Sequence, residues 1–172
     1  GATHFKCAPP IRRADNRDLL WKGLAAGTID FIVSDHSPCV PSLKCMERGD
    51  FMEAWGGIAS LQLGLSSIWT EASRRGFTLQ NLVHWLSTNP ARFAGLEFKG
   101  SIEVGKDADF VAWDPDALRQ VPPDSLLFRH KTTPYLNREL KGQVKRTWLR
   151  GMSVFDGDKT SGPHGHAILN KR

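Results

Sequence analysis

The chain has 172 residues, of which 40% are hydrophobic and 24% are charged, so it can bury a core and is not a disordered polypeptide. Its net charge of +5 comes from scattered basic residues without interleaved aromatic ones, so we expect no nucleic-acid partner. No apolar run approaches the roughly 18 residues of a membrane span, so we expect no membrane segment. The three cysteines lack CxxC spacing, which favours free thiols in a reducing compartment.

The beginning of the chain predicts the order strand, helix, strand. Residues 6–12 contain two prolines and indicate a strand end that runs into a loop. Asp15 or Asn16 can cap a helix that Gly27 ends in the left-handed conformation. Residues 29–33 are apolar and β-branched, which is typical of a strand buried on both faces, and the crossover is long enough for parallel pairing.

Asp35 and His36 follow directly after the second predicted strand. In parallel α/β folds, ligands bind at the C-terminal ends of the strands, so this position makes both residues candidates for chemistry. An aspartate here can also simply cap a turn. Position alone leaves both interpretations of Asp35 open.

The middle of the chain predicts helices. Apolar residues at steps of three and four indicate one long helix over residues 49–75. The pair Gly56-Gly57 is unfavourable inside a helix, so this helix can also begin only after that pair. Thr78 can cap a further helix, Asn89-Pro90 restarts it, and Gly95 ends it.

After the helices, the apolar period becomes that of strands. Residues 110–113 indicate a strand broken at Asp114-Pro115. Residues 145–150 and 152–155 indicate two more strands with a turn between them. The tail from Gly157 is rich in Gly, Pro and Ser and is expected to be irregular.

Several short motifs stand in order along the chain: Lys6-Cys7-Ala8-Pro9-Pro10-Ile11-Arg12, Ser34-Asp35-His36-Ser37-Pro38-Cys39, Gly49-Asp50-Phe51, Ala54-Trp55-Gly56-Gly57-Ile58, Gly105-Lys106-Asp107-Ala108-Asp109-Phe110-Val111, the stretch from Arg129 to Tyr135, and Leu149-Arg150-Gly151. Together they resemble the allantoinase family of cyclic amidohydrolases. The Ser-Pro-Cys and Ala-Trp-Gly-Gly-Ile blocks are more similar to allantoinases than to hydantoinases, dihydropyrimidinases or dihydroorotases.

This resemblance implies an α/β fold, namely the C-terminal part of a (β/α)8 TIM-type hydrolase barrel followed by a small β-sandwich. Residues 1–96 would supply the last part of the barrel, with residues 1–7 approaching strand seven and residues 29–33 forming strand eight. Residues 97–172 would form the composite β-sandwich domain and a C-terminal tail.

The resemblance also implies the chemistry, which is metal-dependent hydrolysis of the cyclic amide of allantoin to allantoate in purine catabolism. The family uses two divalent metal ions, commonly zinc, held by histidines and bridged by a carboxylated lysine that is not in this chain. Asp35 matches the family's strand-eight aspartate, which binds one metal ion and moves a proton. A metal ion lowers the pKa of bound water to about 7, and a neighbouring carboxylate can act as acid and base.

The substrate-binding backbone is implied in the same way. Relatives contact the substrate ring with backbone groups of the Pro-Pro loop and of the segment Trp55-Gly56-Gly57, where glycine permits close approach. A tight loop is the alternative explanation of these glycines. Cys7, Ala8 and Ser37 flank the same site, and His36 is expected to support the site or anchor its loop rather than to bind the metal.

The chain departs from the family chiefly by what it lacks. It supplies at most two of the eight strands, and one aspartate cannot hold two metal ions. We therefore expect the chain alone to be inactive and to bind zinc weakly or not at all. Asn137 stands where a turn favours Gly and should tolerate a positive φ.

For the whole protein we expect allantoin as the small-molecule substrate and a homo-oligomer, a tetramer by analogy. We expect it in the cytoplasm, with an organelle left open because the chain has no initiator Met. Two other functions stay open. A hydantoinase or dihydropyrimidinase would open a similar ring, and a truncated, non-catalytic relative would act as a scaffold.

Overall fold

The N-terminal segment leads into a first helix. The computed structural model describes residues 1–157 and 159–169. It begins with a 3-10 turn, Thr3–Phe5, and residues 6–12, where the end of a strand was expected, form no strand. The α1 helix, Ala14–Ala25, has Arg13 as its N-cap, while the predicted cap Asp15 lies in the first turn and pairs with Arg13. A carboxylate there stabilises the positive end of the helix dipole. Gly27 follows the helix with a φ of 69°, as predicted.

Residues 29–33 form no strand, so this prediction is wrong. The Ile32 N–H donates to the carbonyl of Trp85 (3.1 Å), and the carbonyl of Asp30 accepts from the side chain of Asn89 (2.7 Å). The backbone is thus held by later helical residues. A buried parallel strand needs a neighbouring strand on each side, and residues 1–157 and 159–169 place none beside this segment.

The long helix predicted over residues 49–75 is also wrong, whereas the alternative start after Gly56-Gly57 is confirmed. Turns occupy most of residues 45–54, after a 3-10 helix at Pro41–Lys44. The α2 helix spans Gly64–Arg74 and is preceded by a 3-10 turn, Leu61–Leu63. Instead, Gly56 packs against Ala8, and Gly57 packs against Ser37.

The helices after α2 begin and end where local signals predict. Thr78 caps α3, Leu79–Val83, through a reciprocal capping box. A π-helical turn, His84–Thr88, leads into α4, Asn89–Phe93, which has a proline in its first turn. Gly95 then ends the helical region with a φ of 67°.

The main hydrophobic core lies between α1, α2 and the α3 region. Its buried side chains are Trp21, Leu24, Trp69, Ala72, Leu82 and Trp85. Aromatic rings meet edge-on within it, as between Trp21 and Trp85 at 6.1 Å. Within residues 1–157 and 159–169, no helix is long and apolar enough to cross a membrane.

The C-terminal part of the described chain forms a three-stranded antiparallel sheet in the order β1-β2-β3. The strands are β1, Phe110–Gln120, β2, Glu139–Leu149, and β3, Met152–Phe155. Contrary to the prediction, Asp114-Pro115 does not break β1. A register shift between Asp114 and Leu118 removes the proline from the hydrogen-bonded ladder, as bulges commonly do.

The sheet packs directly on α2. The Ser66 hydroxyl donates to the carbonyl of Gly142 (2.7 Å), and the Trp69 indole N–H donates to the carbonyl of Pro115 (2.8 Å). A second buried cluster combines residues from both sides, namely Leu63, Val121, Leu126 and Leu140. Residues before and after position 96 therefore share a packed interface. That a domain boundary lies after residue 96 stays a prediction.

Lys99 joins the start of the sheet to the preceding loop. Its Nζ donates to Asp107 Oδ2 (2.8 Å) and to Asp109. Asp109 Oδ1 also accepts from the Arg150 N–H (2.8 Å). Burial raises the pKa of Asp109, but the hydrogen bonds from Lys99 and Arg150 outweigh it, and the pKa lies below its usual value. This carboxylate therefore stabilises the fold above the unfolded pKa of about 3.9, and the contribution is lost as the pH falls through the lower folded pKa.

Lys99→Met should lower the free energy of unfolding of the complete protein at pH 7 by about 1–3 kcal/mol, because two charge-assisted hydrogen bonds are lost. It should also weaken the acid dependence of stability below about pH 4. Urea unfolding at pH 7 and pH 3.5 measures both effects. Lys145→Met is the matched control, since Lys145 is exposed and contacts only Gln143 through its Nζ among the described residues. Equal acid dependence in the two variants would contradict this assignment.

Candidate functional site

Three loops that are distant in sequence meet in what we call the three-loop cluster, residues 6–8, 35–37 and 55–58. The Ser37 N–H donates to the carbonyl of Ile58 (3.0 Å), and His36 pairs with Ile58 in an isolated parallel bridge. A Cβ added at Gly56 would lie 3.5 Å from the Cβ of Ala8. The cluster thus brings together all the predicted substrate-binding residues: Cys7, Ala8, Ser37, Trp55, Gly56 and Gly57.

Gly57 marks the closest approach between two of these loops. A Cβ at this position would lie 2.5 Å from Ser37 Oγ, 2.7 Å from the Ser37 carbonyl oxygen and 2.6 Å from Trp55 Nε1. Because the carbonyl belongs to the backbone, it cannot move aside as a flexible side chain would. The tight-loop explanation therefore accounts for Gly57 without any ligand, and its role toward the substrate stays a prediction.

Lys44 holds the cluster together, and the sequence analysis missed it. Lys44 is 4% exposed, and its Nζ donates to the carbonyls of Lys6 (2.9 Å), Trp55 (3.0 Å) and Gly57. Burial lowers the pKa of Lys44, and the nearby thiols of Cys39 and Cys7 partly oppose that shift. Because lysine is seldom buried, a lysine in a sequence is normally expected at the surface. Nothing in the sequence around Lys44 indicates otherwise.

Asp35 lies in the cluster beside the bridge and is exposed, with a φ of 42°. Non-glycine residues seldom adopt a positive φ, although aspartate tolerates it better than most. Within the part of the chain that the structure describes, no residue hydrogen-bonds to its carboxylate. A turn-capping aspartate would accept a backbone N–H, so this interpretation loses its support.

His36 anchors the loop that precedes α2. Its Nδ1 accepts hydrogen bonds from the N–H groups of Ser60 (3.0 Å) and Leu61 (3.2 Å), which leaves the proton of a neutral ring on Nε2. Its ring also lies 5.0 Å from that of Phe128. The contact that anchors a loop is present, whereas a role in supporting a metal site stays a prediction.

The side chains of the described residues do not form a metal site by themselves. Residues 1–157 and 159–169 contain no group of three or more His, Cys, Asp or Glu placed to hold an ion. Asp35 offers a single carboxylate, which does not suit two metal ions. The three cysteines are free, as predicted.

Asp35 lines none of four cavities found among the described residues. One of about 210 Å³ lies between α2 and the sheet, lined by residues such as Gln62, Ser66 and Gly142, and contains no predicted site residue. A gap of about 10 Å³ between Ser37 and Thr133 has room for one water molecule at most. We therefore assign the candidate site to the exposed surface of the three-loop cluster, where the unpaired carboxylate lies.

Comparison with known proteins agrees with the motifs. Residues 7–154 match the amidohydrolase family, so the chain belongs to this family. It is similar to the allantoinases of Streptomyces avermitilis (49% identity over 98% of this chain), Arabidopsis thaliana (47% over 92%) and Saccharomyces cerevisiae (42% over 100%). The resemblance to allantoinases is thus confirmed. The chain spans 37%, 32% and 37% of the lengths of these three relatives.

Solved structures of hydantoinases match the fold of this chain. The D-hydantoinase (dihydropyrimidinase) from Thermus sp. has a TM-score of 0.85 and 26% identity, over 94% of this chain and 36% of its own. The L-hydantoinase from Arthrobacter aurescens has a TM-score of 0.83 and 30% identity, over 91% of this chain and 35% of its own. The chain therefore has the fold of a portion of these hydantoinases, and the complete barrel stays a prediction.

Proposed function

We propose that the chain is the C-terminal part of an allantoinase, which hydrolyses the cyclic amide of allantoin to allantoate. The observation that carries this proposal is the 42–49% identity, over nearly the whole chain, to proteins named allantoinases. Identity to the hydantoinases of similar fold is lower, at 26% and 30%. In the complete protein, residues 1–96 would close a (β/α)8 barrel and residues 97–172 would belong to a β-sandwich.

The complete site would hold two divalent metal ions, expected to be zinc, with Asp35 as one ligand. The other ligands, including a carboxylated lysine, would come from outside this chain. Such ions supply hydroxide at neutral pH. The Asp35 carboxylate is the proposed proton carrier to the leaving nitrogen, and its exposure and lack of a partner among the described residues support this role.

The three-loop cluster would contact the substrate through its backbone. The N–H groups of Cys7 and Gly56 donate to no described residue, so they can bind the carbonyl oxygens of a cyclic amide. Trp55 is 45% exposed, and its side chain can cover an adjacent ring. Ala8 and Ser37 would complete the wall of this site.

Two alternatives stay open. The hydantoinase structures favour a hydantoinase or dihydropyrimidinase. A truncated, non-catalytic relative is the second alternative. Free thiols at Cys7, Cys39 and Cys45 support a reducing compartment such as the cytoplasm, and a homotetramer stays a prediction.

The test is to assay the complete protein with allantoin, hydantoin and dihydrouracil as substrates. We expect kcat/KM for allantoin to exceed the other two at least about tenfold, a difference of about 1.4 kcal/mol in transition-state binding. The 172-residue chain alone should be inactive and should bind zinc weakly or not at all. Faster hydrolysis of hydantoin would favour the first alternative, and no turnover of any substrate would favour the second.

A further inference from the structure

The ammonium group of Lys44 is saturated by backbone oxygens. A lysine ammonium has three N–H donors, and those of Lys44 reach the carbonyls of Lys6, Trp55 and Gly57. These carbonyls belong to two of the three loops of the cluster, while Lys44 itself lies at the end of Pro41–Lys44. One buried side chain therefore sets the orientation of three peptide units.

Because a peptide unit is planar, fixing the direction of its C=O also fixes the direction of its N–H. In a trans peptide the N–H points opposite to the C=O of the same unit. The units 6–7 and 55–56 are trans, since the described cis bond is Ala8-Pro9. Their carbonyls point at Lys44, so the N–H groups of Cys7 and Gly56 point away from it.

The two amide groups lie in one patch and lack protein partners. A Cβ added at Gly56 would lie 3.7 Å from the Ala8 nitrogen and 3.8 Å from the Cys7 carbonyl carbon, so Gly56 packs on the peptide that follows the Cys7 N–H. Neither N–H donates to a described residue. The third peptide unit held by Lys44, 57–58, contains Ile58, which pairs with His36 in the isolated bridge.

We propose that Lys44 is a positioning residue of the substrate site, which holds the Cys7 and Gly56 N–H groups in the direction needed to bind carbonyl oxygens of a cyclic amide. This inference rests on the proposed function. A lysine that only tied the loops together would affect stability, whereas a positioning lysine also affects substrate binding at constant metal content.

The experiment compares Lys44→Met, Lys44→Arg and Lys131→Met in the complete protein. Lys44→Met should raise the KM for allantoin at least about tenfold, equivalent to about 1.4 kcal/mol, with a smaller change in kcat and unchanged metal content. Lys44→Arg keeps charge and donors and should recover part of the loss. Lys131→Met is the control because Lys131 also donates to a backbone carbonyl, that of Leu126, outside the cluster. A KM for Lys44→Met equal to that of the control would overturn the proposal.

Amide hydrogen exchange gives a second readout that needs no turnover. Without substrate, Lys44→Met should speed exchange at least about tenfold at the N–H groups of Lys6 and Trp55, which are hydrogen-bonded to the carbonyls of Thr3 and Leu43. In the unmodified protein, allantoin should protect the peptides containing Cys7 and Gly56, a measurement that holds even if Lys44→Met fails to fold. Absence of this protection in a protein that hydrolyses allantoin would overturn the proposal. A protein that does not hydrolyse allantoin would instead contradict the proposed function, and the exchange of the Lys6 and Trp55 N–H groups without substrate would still test whether Lys44 holds the two loops.

Discussion

Replacing Asp35 with asparagine should lower allantoin turnover by the complete protein roughly thousandfold. The amide keeps the size of the carboxylate but loses its negative charge and its ability to take up a proton, and acid-base groups contribute about 10²–10⁴ in rate. Because the side chain is exposed and has no described partner, stability should change little. Steady-state kinetics and a thermal melt would measure these two effects, with metal analysis of both proteins alongside.

Asp30→Asn is the matched control for this substitution. Asp30 is also exposed, five positions earlier in the same segment, and its backbone carbonyl rather than its carboxylate bonds to Asn89. We expect its turnover to stay within about twofold of the unmodified protein, as for most surface substitutions. Similar kinetics for the Asp35 and Asp30 variants would remove Asp35 from the site and with it the proposed hydrolase activity.

Substituting alanine for Gly57 should lower the free energy of unfolding of the complete protein by about 1–3 kcal/mol. The new methyl group would meet Ser37 Oγ, the Ser37 carbonyl and Trp55 Nε1, all within 2.7 Å. Relief requires the loops to separate, which would also weaken the hydrogen bond from the Ser37 N–H to the Ile58 carbonyl. Chemical unfolding measures the loss, and allantoin turnover should fall along with it.

Gly56→Ala provides an internal comparison one residue away. Its methyl group would meet Ala8 Cβ at 3.5 Å, an ordinary van der Waals contact, and neither glycine has a φ in the left-handed region. Its free energy of unfolding should therefore stay within about 0.5 kcal/mol of the original. If both variants were equally stable, the close approach of residue 57 to Ser37 would not exist in solution.

Features that depend on neighbouring residues were predictable. The Thr78 cap, the proline at the start of α4 and the positive φ of Gly27 and Gly95 follow from hydrogen bonding and backbone sterics within a few residues. Asn137, with a φ of 58°, also adopts the turn conformation expected for it. Such signals need no knowledge of the rest of the fold.

Strand predictions failed where the outcome depended on hydrogen bonds to a neighbouring strand that the sequence alone did not locate. Residues 29–33 have the composition of a buried strand, but a strand exists only through hydrogen bonds to neighbouring strands. In β1 the opposite occurred, because pairing with β2 continues the strand past Pro115 through a bulge. Composition describes a tendency, and the available hydrogen-bonding partners determine the outcome.

The candidate site divides in the same way. Motifs in the sequence alone identified Asp35 and the loop residues from Cys7 to Gly57 as belonging together, because they match the order of a family. Only the tertiary structure revealed Lys44, since its three acceptors are backbone carbonyls, which every residue carries and no motif records. The sequence alone determines which side chains are present, whereas the packing of the loops determines the direction of each peptide group.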